Sequence, residues 1–144
     1  KPSGPRRFGI DDLKAPRIVR WVVKSSELAA VKAKADKAGV TLGAVASGSR
    51  KRPDGVLLSW RYTDPAVTVA DGLVPFFIDW GTSPHPALTA AKGATLVQLR
   101  AEHPDATRVQ KMLGALGLDL SVTQASAAAI VATIDSPLGR IELR

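Results

Sequence analysis

The sequence predicts an α+β domain of two tandem modules, in which each strand and helix lead into further strands and the helices cover the outer face of a curved mixed or antiparallel sheet that forms a cup. Three observations lead there. Sliding the 144-residue chain along itself by 78 positions lays Ile18–Leu42 over Leu96–Leu120 without a gap, and the glycines Gly39 and Gly117 coincide. Strand-like runs are separated by both helical stretches and tight turns, which argues for helices gathered on one face of a sheet. An apolar content of 45% with a mean hydropathy of +0.05 suits one soluble domain with a sizeable core. The modules fall at about residues 16–80 and 93–144 of a single domain spanning 1–144.

In the first module IVRWVVK (Ile18–Lys24) is rich in β-branched and aromatic residues and reads as a strand, with Trp21 on its helix-facing side. Ser25-Ser26-Glu27 then offers a helix cap with an acid at the positive end. Leu28, Val31, Ala35 and Ala38 recur at helical spacing, and Gly39 supplies the left-handed stop. Two strands follow, VLLSWRYT (Val56–Thr63) and LVPFFIDW (Leu73–Trp80), the first entered through the turn Arg52-Pro53-Asp54-Gly55.

The second module opens with LVQLRAE (Leu96–Glu102), after which His103 sits at the cap position and Pro104 in the first turn of a helix. Val109, Leu113 and Leu116 form its buried stripe and Gly117 ends it. AAAIVATI (Ala127–Ile134) and RIELR (Arg140–Arg144) form a hairpin across Asp135-Ser136-Pro137-Leu138-Gly139.

No apolar run approaches the roughly 20 residues of a membrane span. Lys1–Arg7 reads as a polar tether rather than a signal peptide. The chain has no cysteine, which excludes disulfides, thiolate catalysis and Cys-based zinc sites and agrees with the cytoplasm. A net charge of +7 calls for an anionic partner to be weighed. Only Arg6-Arg7 and Arg50-Lys51-Arg52 cluster, and neither is interleaved with aromatics, so a nucleic-acid reading rests on charge alone. The run Arg50-Lys51-Arg52 reads as a solvated loop or as a lid that captures an anion. No Gly-rich phosphate loop or nucleophile elbow occurs.

Strand alternation selects the candidate site residues. Ile141 and Leu143 are expected to face the helices, as are Val97, Leu99 and Ala101, which leaves Glu142, Gln98 and Arg100 on the polar face. The position 78 residues before Gln98 is Arg20, whose guanidinium is a carboxylate binder. Trp60, Arg61 and Trp80 alternate between polar neighbours and either line a pocket or pair across strands; Phe76 and Phe77 point to opposite faces, so one of them is core. Phe77 is kept with Trp60, Arg61 and Trp80 as a substrate-binding candidate. His85, in a Pro-rich loop, either serves as an acid or base or fixes the turn beside Pro86.

Three segments, RPDGVLLSWRYTDP (Arg52–Pro65), DGLVPFFIDWGTSPHPA (Asp71–Ala87) and SPLGRIELR (Ser136–Arg144), resemble the glyoxalase-like domain family of the vicinal oxygen chelate superfamily, and the resemblance extends from Phe8 onward. It implies βαβββ-type modules around a cup that binds a small oxygen-rich or carbonyl compound. It also implies a divalent metal (Zn, Ni, Mn or Fe) held by His, Gln or Glu from first and last strands, and lyase, isomerase or dioxygenase chemistry. Glu142 matches the last-strand carboxylate and Gln98 the first-strand ligand, which makes half a metal site, with Glu142 and His85 as the catalytic candidates. Arg20 in the first module departs from that pattern, so a metal-free, non-catalytic binding or resistance protein is the alternative. The resemblance further implies a module ahead of Lys1, so association with such a segment or with a second copy, as a homodimer, is expected.

Overall fold

The structure, a computed structural model, describes residues 7–144; the tether expected over Lys1–Arg7 therefore lies, apart from Arg7, outside the described residues. After a short 3-10 segment, Arg7–Asp12, the first half runs β1 (Val22–Lys24), α1 (Leu28–Lys37), β2 (Val45–Lys51), β3 (Leu57–Thr63) and β4 (Phe76–Asp79). The second half runs β5 (Thr95–His103), α2 (Ala106–Ala115), β6 (Val122–Gln124), β7 (Ala129–Ser136) and β8 (Gly139–Leu143). Both halves thus read β-α-β-β-β, in a mixed α+β fold. No helix among the described residues is long and apolar enough to cross a membrane.

The repeat is physical at the helices. They begin and end 78 positions apart and close in the same way: Gly39 (φ 67°) and Gly117 (φ 77°) take the left-handed turn. Val40 N–H then reaches back to Ala35 O at 2.9 Å, as Leu118 N–H does to Leu113 O at 2.9 Å, the paired closure that satisfies the last carbonyls of a helix. Beyond each helix a side chain from the same position grips the same carbonyl, Lys32 on Leu42 O at 3.4 Å and Gln110 on Leu120 O at 3.0 Å.

The strands then part company. In the first sheet the order is β1-β4-β3-β2, with β1 parallel to β4 and the rest antiparallel; in the second it is β6-β5-β7-β8, with β6 parallel to β5. The strand after the helix therefore sits at the far edge in one half and beside the first strand in the other. One difference in side-chain chemistry favours this. Gln110 Oε1 also accepts the Val122 N–H at 3.0 Å and so holds β6 in place, whereas Lys32 has no acceptor to offer.

Several sequence expectations need correction. Strands β2 and β6 were unexpected: β2 (VASGSRK) is almost wholly exposed and carries no apolar alternation, and it exists because it pairs along its whole length with β3. Arg50 and Lys51 are thus edge-strand residues rather than a loop. The strands expected from Ile18 and from Leu73 start late, at Val22 and Phe76, because Pro75 has no N–H to extend the ladder at which Val22 meets Phe76. Asp105, not His103, caps α2, accepting the Arg108 N–H at 3.1 Å, and Pro104 precedes the helix. Ser25 accepts the Glu27 N–H at 3.1 Å and makes a turn instead of capping α1. Val97 sits at a bulge and is exposed, and Ile141 is exposed as well, so neither reaches the helices.

One buried cluster joins the two halves. It holds Leu28 and Ala35 of α1, Phe77 of β4, Ala101 of β5, Val109 and Leu113 of α2 and Ile130 of β7, with Trp21 packed against it. Trp21 also donates Nε1–H to Leu73 O at 2.8 Å, which fixes the segment leading into β1. That segment and the β3–β4 connection run along the seam between the halves.

Candidate functional site

Beside the seam lies a cavity of about 490 Å³ lined by the first half. Phe8 and Gly9 form one side, the approach to β1 contributes Arg17, Val19 and Arg20, and the β3–β4 connection contributes Asp64, Pro65, Ala66, Thr68 and Asp71. A second hollow of about 640 Å³ shares Arg17, Val19, Thr68 and Asp71 and extends to Pro104, Ala128, Ile130 and Arg144 of the second half. The two hollows adjoin along those four shared residues, a trough walled mainly by the first half and bordered by the second sheet.

Each polar group on its wall is held by the local fold. The Arg20 guanidinium hydrogen-bonds Thr68 Oγ1, and burial lowers its pKa below the ordinary arginine value. Gly72 makes this possible: a Cβ there would stand 2.8 Å from Arg20 Nη1, and its φ of 91° is one that L side chains rarely adopt. Asp64 turns the chain by accepting the Ala66 N–H at 2.9 Å. Asp71 sits at φ 53°, following Ala70 at φ 49°, and its exposed carboxylate meets Nε2 of the buried His103 at 3.0 Å.

A second, shallower pocket of about 500 Å³ lies on the first sheet. Trp60 and Trp80 tilt against each other with centroids 5.4 Å apart, and His85 stands edge-on to Trp80 at 5.6 Å. Gly48 on the edge strand lies under the Trp60 indole, where a Cβ would approach to 2.8 Å. Arg61 pairs with Asp79 at 2.7 Å, and this hydrogen bond, with a backbone bond from Gly81, lowers the Asp79 pKa. Ser59 N–H donates to Ser83 Oγ at 2.8 Å, and the Ser83 hydroxyl donates to Ser59 O at 2.9 Å, closing the floor. Trp60, Arg61, Trp80 and His85 are thus brought together as a cluster. His85 Nδ1 accepts the Ala87 N–H at 3.1 Å and caps the short helical turn Pro86–Thr89, the turn-fixing role.

Gln98 and Glu142 flank Thr133 in one cross-strand row of the second sheet. Their surroundings do not fit a divalent cation. Both Glu142 oxygens face Arg100 Nη2, at 3.3 and 3.2 Å, and Arg100 also pairs with Glu102, which Arg144 reaches at 2.6 Å. Two guanidiniums thus occupy the carboxylates that a metal would need. Among the described residues no group of three or more His, Cys, Asp or Glu is placed to hold a metal ion. Phe77 is a correction of another kind. At 2% exposed it belongs to the core and lines neither pocket, because its register opposite Val23 turns it inward and leaves Phe76 to stack on Phe8 at 6.4 Å.

Of the sequence candidates only Arg20 therefore lines the trough; Trp60, Arg61 and Trp80 line the shallow pocket, and Gln98 and Glu142 lie on the second sheet. Asp71 and His103 were not singled out as a pair. Asp71 lies in a segment whose plain signal is its aromatics, and His103 stands at a position that suits a helix cap. The signal missed was a histidine at the buried end of an alternating strand, where a polar ring needs partners for both nitrogens.

A family model described as a glyoxalase-like domain matches residues 1–117. Neither the search of curated proteins nor that of solved structures returned a match.

Proposed function

The chain belongs to the glyoxalase-like domain family of the vicinal oxygen chelate superfamily, and on that premise we propose that it binds a small oxygen-rich carboxylate in the seam trough without a resident metal. The observation that carries this reading is Arg20. Its guanidinium is drawn partly out of water and held by Thr68 on the wall of a cavity of about 490 Å³, a size that suits a small ligand. A partly desolvated guanidinium grips a carboxylate more strongly than one in bulk water, and its two parallel donors fix orientation. Arg17 on the same wall adds a second cation.

This favours the ligand-binding alternative over metal-dependent lyase, isomerase or dioxygenase chemistry, since the carboxylate that would anchor a metal is bonded to Arg100. A panel of small keto acids, dicarboxylates and aromatic acids, followed by thermal shift and ligand-observed NMR, tests it. At least one carboxylate is expected to bind, and Arg20→Gln is expected to weaken it by about tenfold or more, the worth of one charge-assisted contact. Binding by no member, or binding indifferent to Arg20→Gln, contradicts the reading.

A further inference from the structure

The seam trough has two poles. Arg17 and Arg20 supply two positive charges, and Asp64 and Asp71 supply two negative ones, on the wall of a single cavity. A site built only for an anion gains nothing from two carboxylates, which repel it. His103 shows that one of them is deliberately oriented. Its Nδ1 accepts the Asp105 N–H at 2.8 Å, so the neutral ring carries its proton on Nε2 and donates it to Asp71 Oδ2 at 3.0 Å. The ring itself is 4% exposed and is not among the residues that line the trough. The pair also spans the seam, Asp71 from the β3–β4 connection and His103 from the end of β5, so the poles are set by the docking of the two halves.

We propose that the trough is a site for a small zwitterion of the amino-acid class, its carboxylate held by Arg17 and Arg20, its ammonium by Asp71, and His103 acting as the positioning residue behind Asp71. This rests on the reading of the trough as a carboxylate site and adds the second pole. An ammonium ion beside Asp71 gains an opposite charge that His103 already orients, whereas a plain carboxylate ligand meets only repulsion at that pole.

Three probes that share one skeleton separate the poles: phenylalanine carries both charges, 3-phenylpropionate only the carboxylate and phenethylamine only the ammonium. Calorimetric titration of the purified protein is expected to show phenylalanine binding about tenfold or more tighter than either single-pole probe. Asp71→Asn is expected to abolish the preference for phenylalanine over 3-phenylpropionate, the latter binding as well as before or better because a repelling charge is gone. His103→Phe is expected to erode the same preference and His103→Gln, which keeps an N–H donor, to retain most of it. In 15N spectra His103 should show the Nε2–H tautomer, a signature independent of any loss of fold. Equal affinity for phenylalanine and 3-phenylpropionate, a preference unchanged in Asp71→Asn, or an Nδ1–H tautomer overturns the proposal and leaves the carboxylate reading standing. Absence of binding by all three probes at about 10 mM also overturns it; the carboxylate reading falls with it only if the acid panel shows no Arg20-dependent binding either.

Discussion

Gly72 and Arg20 meet because a glycine is the one residue that both accepts a φ of 91° and leaves room for a guanidinium 2.8 Å from where a Cβ would stand. Gly72→Ala is therefore expected to cost about 1–2 kcal/mol in denaturant unfolding, the usual penalty of a side chain forced into the left-handed region. It should also push Arg20 off Thr68 and weaken carboxylate binding; unchanged stability and binding would show that Gly72 has no such role. The charged ladder on the second sheet makes a different residue-scale claim. The Glu102 pKa is lowered, first by its hydrogen bond from Arg100, and that of Asp135 by its bond from Arg140. A carboxylate whose folded pKa lies below its unfolded value adds stability that is complete above the unfolded pKa and is lost as pH falls through the folded one. The melting temperature is expected to be flat near neutrality and to fall below the ordinary carboxylate range, about pH 4. Glu102→Gln should flatten that fall, and an identical acid profile in the variant would contradict the assignment.

At the scale of elements, a single glutamine separates the two halves. Gln110 bonds the Leu120 carbonyl and the Val122 N–H together, whereas the repeat-related Lys32 can reach only a carbonyl. Gln110→Lys is expected to release the Val122 amide to faster hydrogen exchange and to cost about 1 kcal/mol, the worth of one such bond, with β5–β7 exchange unchanged. Exchange at Val122 as slow as in the parent protein would rule out the clamp. This element also marks the limit of what sequence reading reached. The helices, their glycine stops and the hairpin carry strong local signals and are found, although both helices start without the expected caps. Strand β2 has seven exposed or half-exposed residues and no apolar period, and β6 is three residues long, so both are defined by their partners and not by their own composition. Strands β1 and β4 were overextended because β-propensity does not register that Pro75 interrupts a ladder two strands wide.

For the whole molecule, an apolar row of exposed Leu96, half-buried Ile134 and exposed Ile141 crosses β5, β7 and the edge strand β8, with Leu138 fully exposed at the hairpin tip. Such a row beside an open edge favours self-association, and light scattering is expected to show a dimer that Ile141→Lys disperses; a monomer at all concentrations would leave the row without a partner. The site was less legible than the fold for a related reason. Arg20 and Asp71 come from distant parts of the first half and His103 meets Asp71 from the second, so tens of residues separate them and no local spacing joins them. Alternation puts Arg100 on the same face as Gln98 and Glu142, but spacing alone does not say that its guanidinium reaches the Glu142 carboxylate.

Backbone amide mapping during titration with 3-phenylpropionate tests the central claim most directly. Shifts are expected to concentrate at Val19, Arg20, Thr68 and Asp71, with Gln98 and Glu142 silent and Trp60 and Trp80 unmoved. Shifts centred on the Trp60–Trp80 pocket or on the Gln98–Glu142 row would contradict the account and move the functional site to one of those faces.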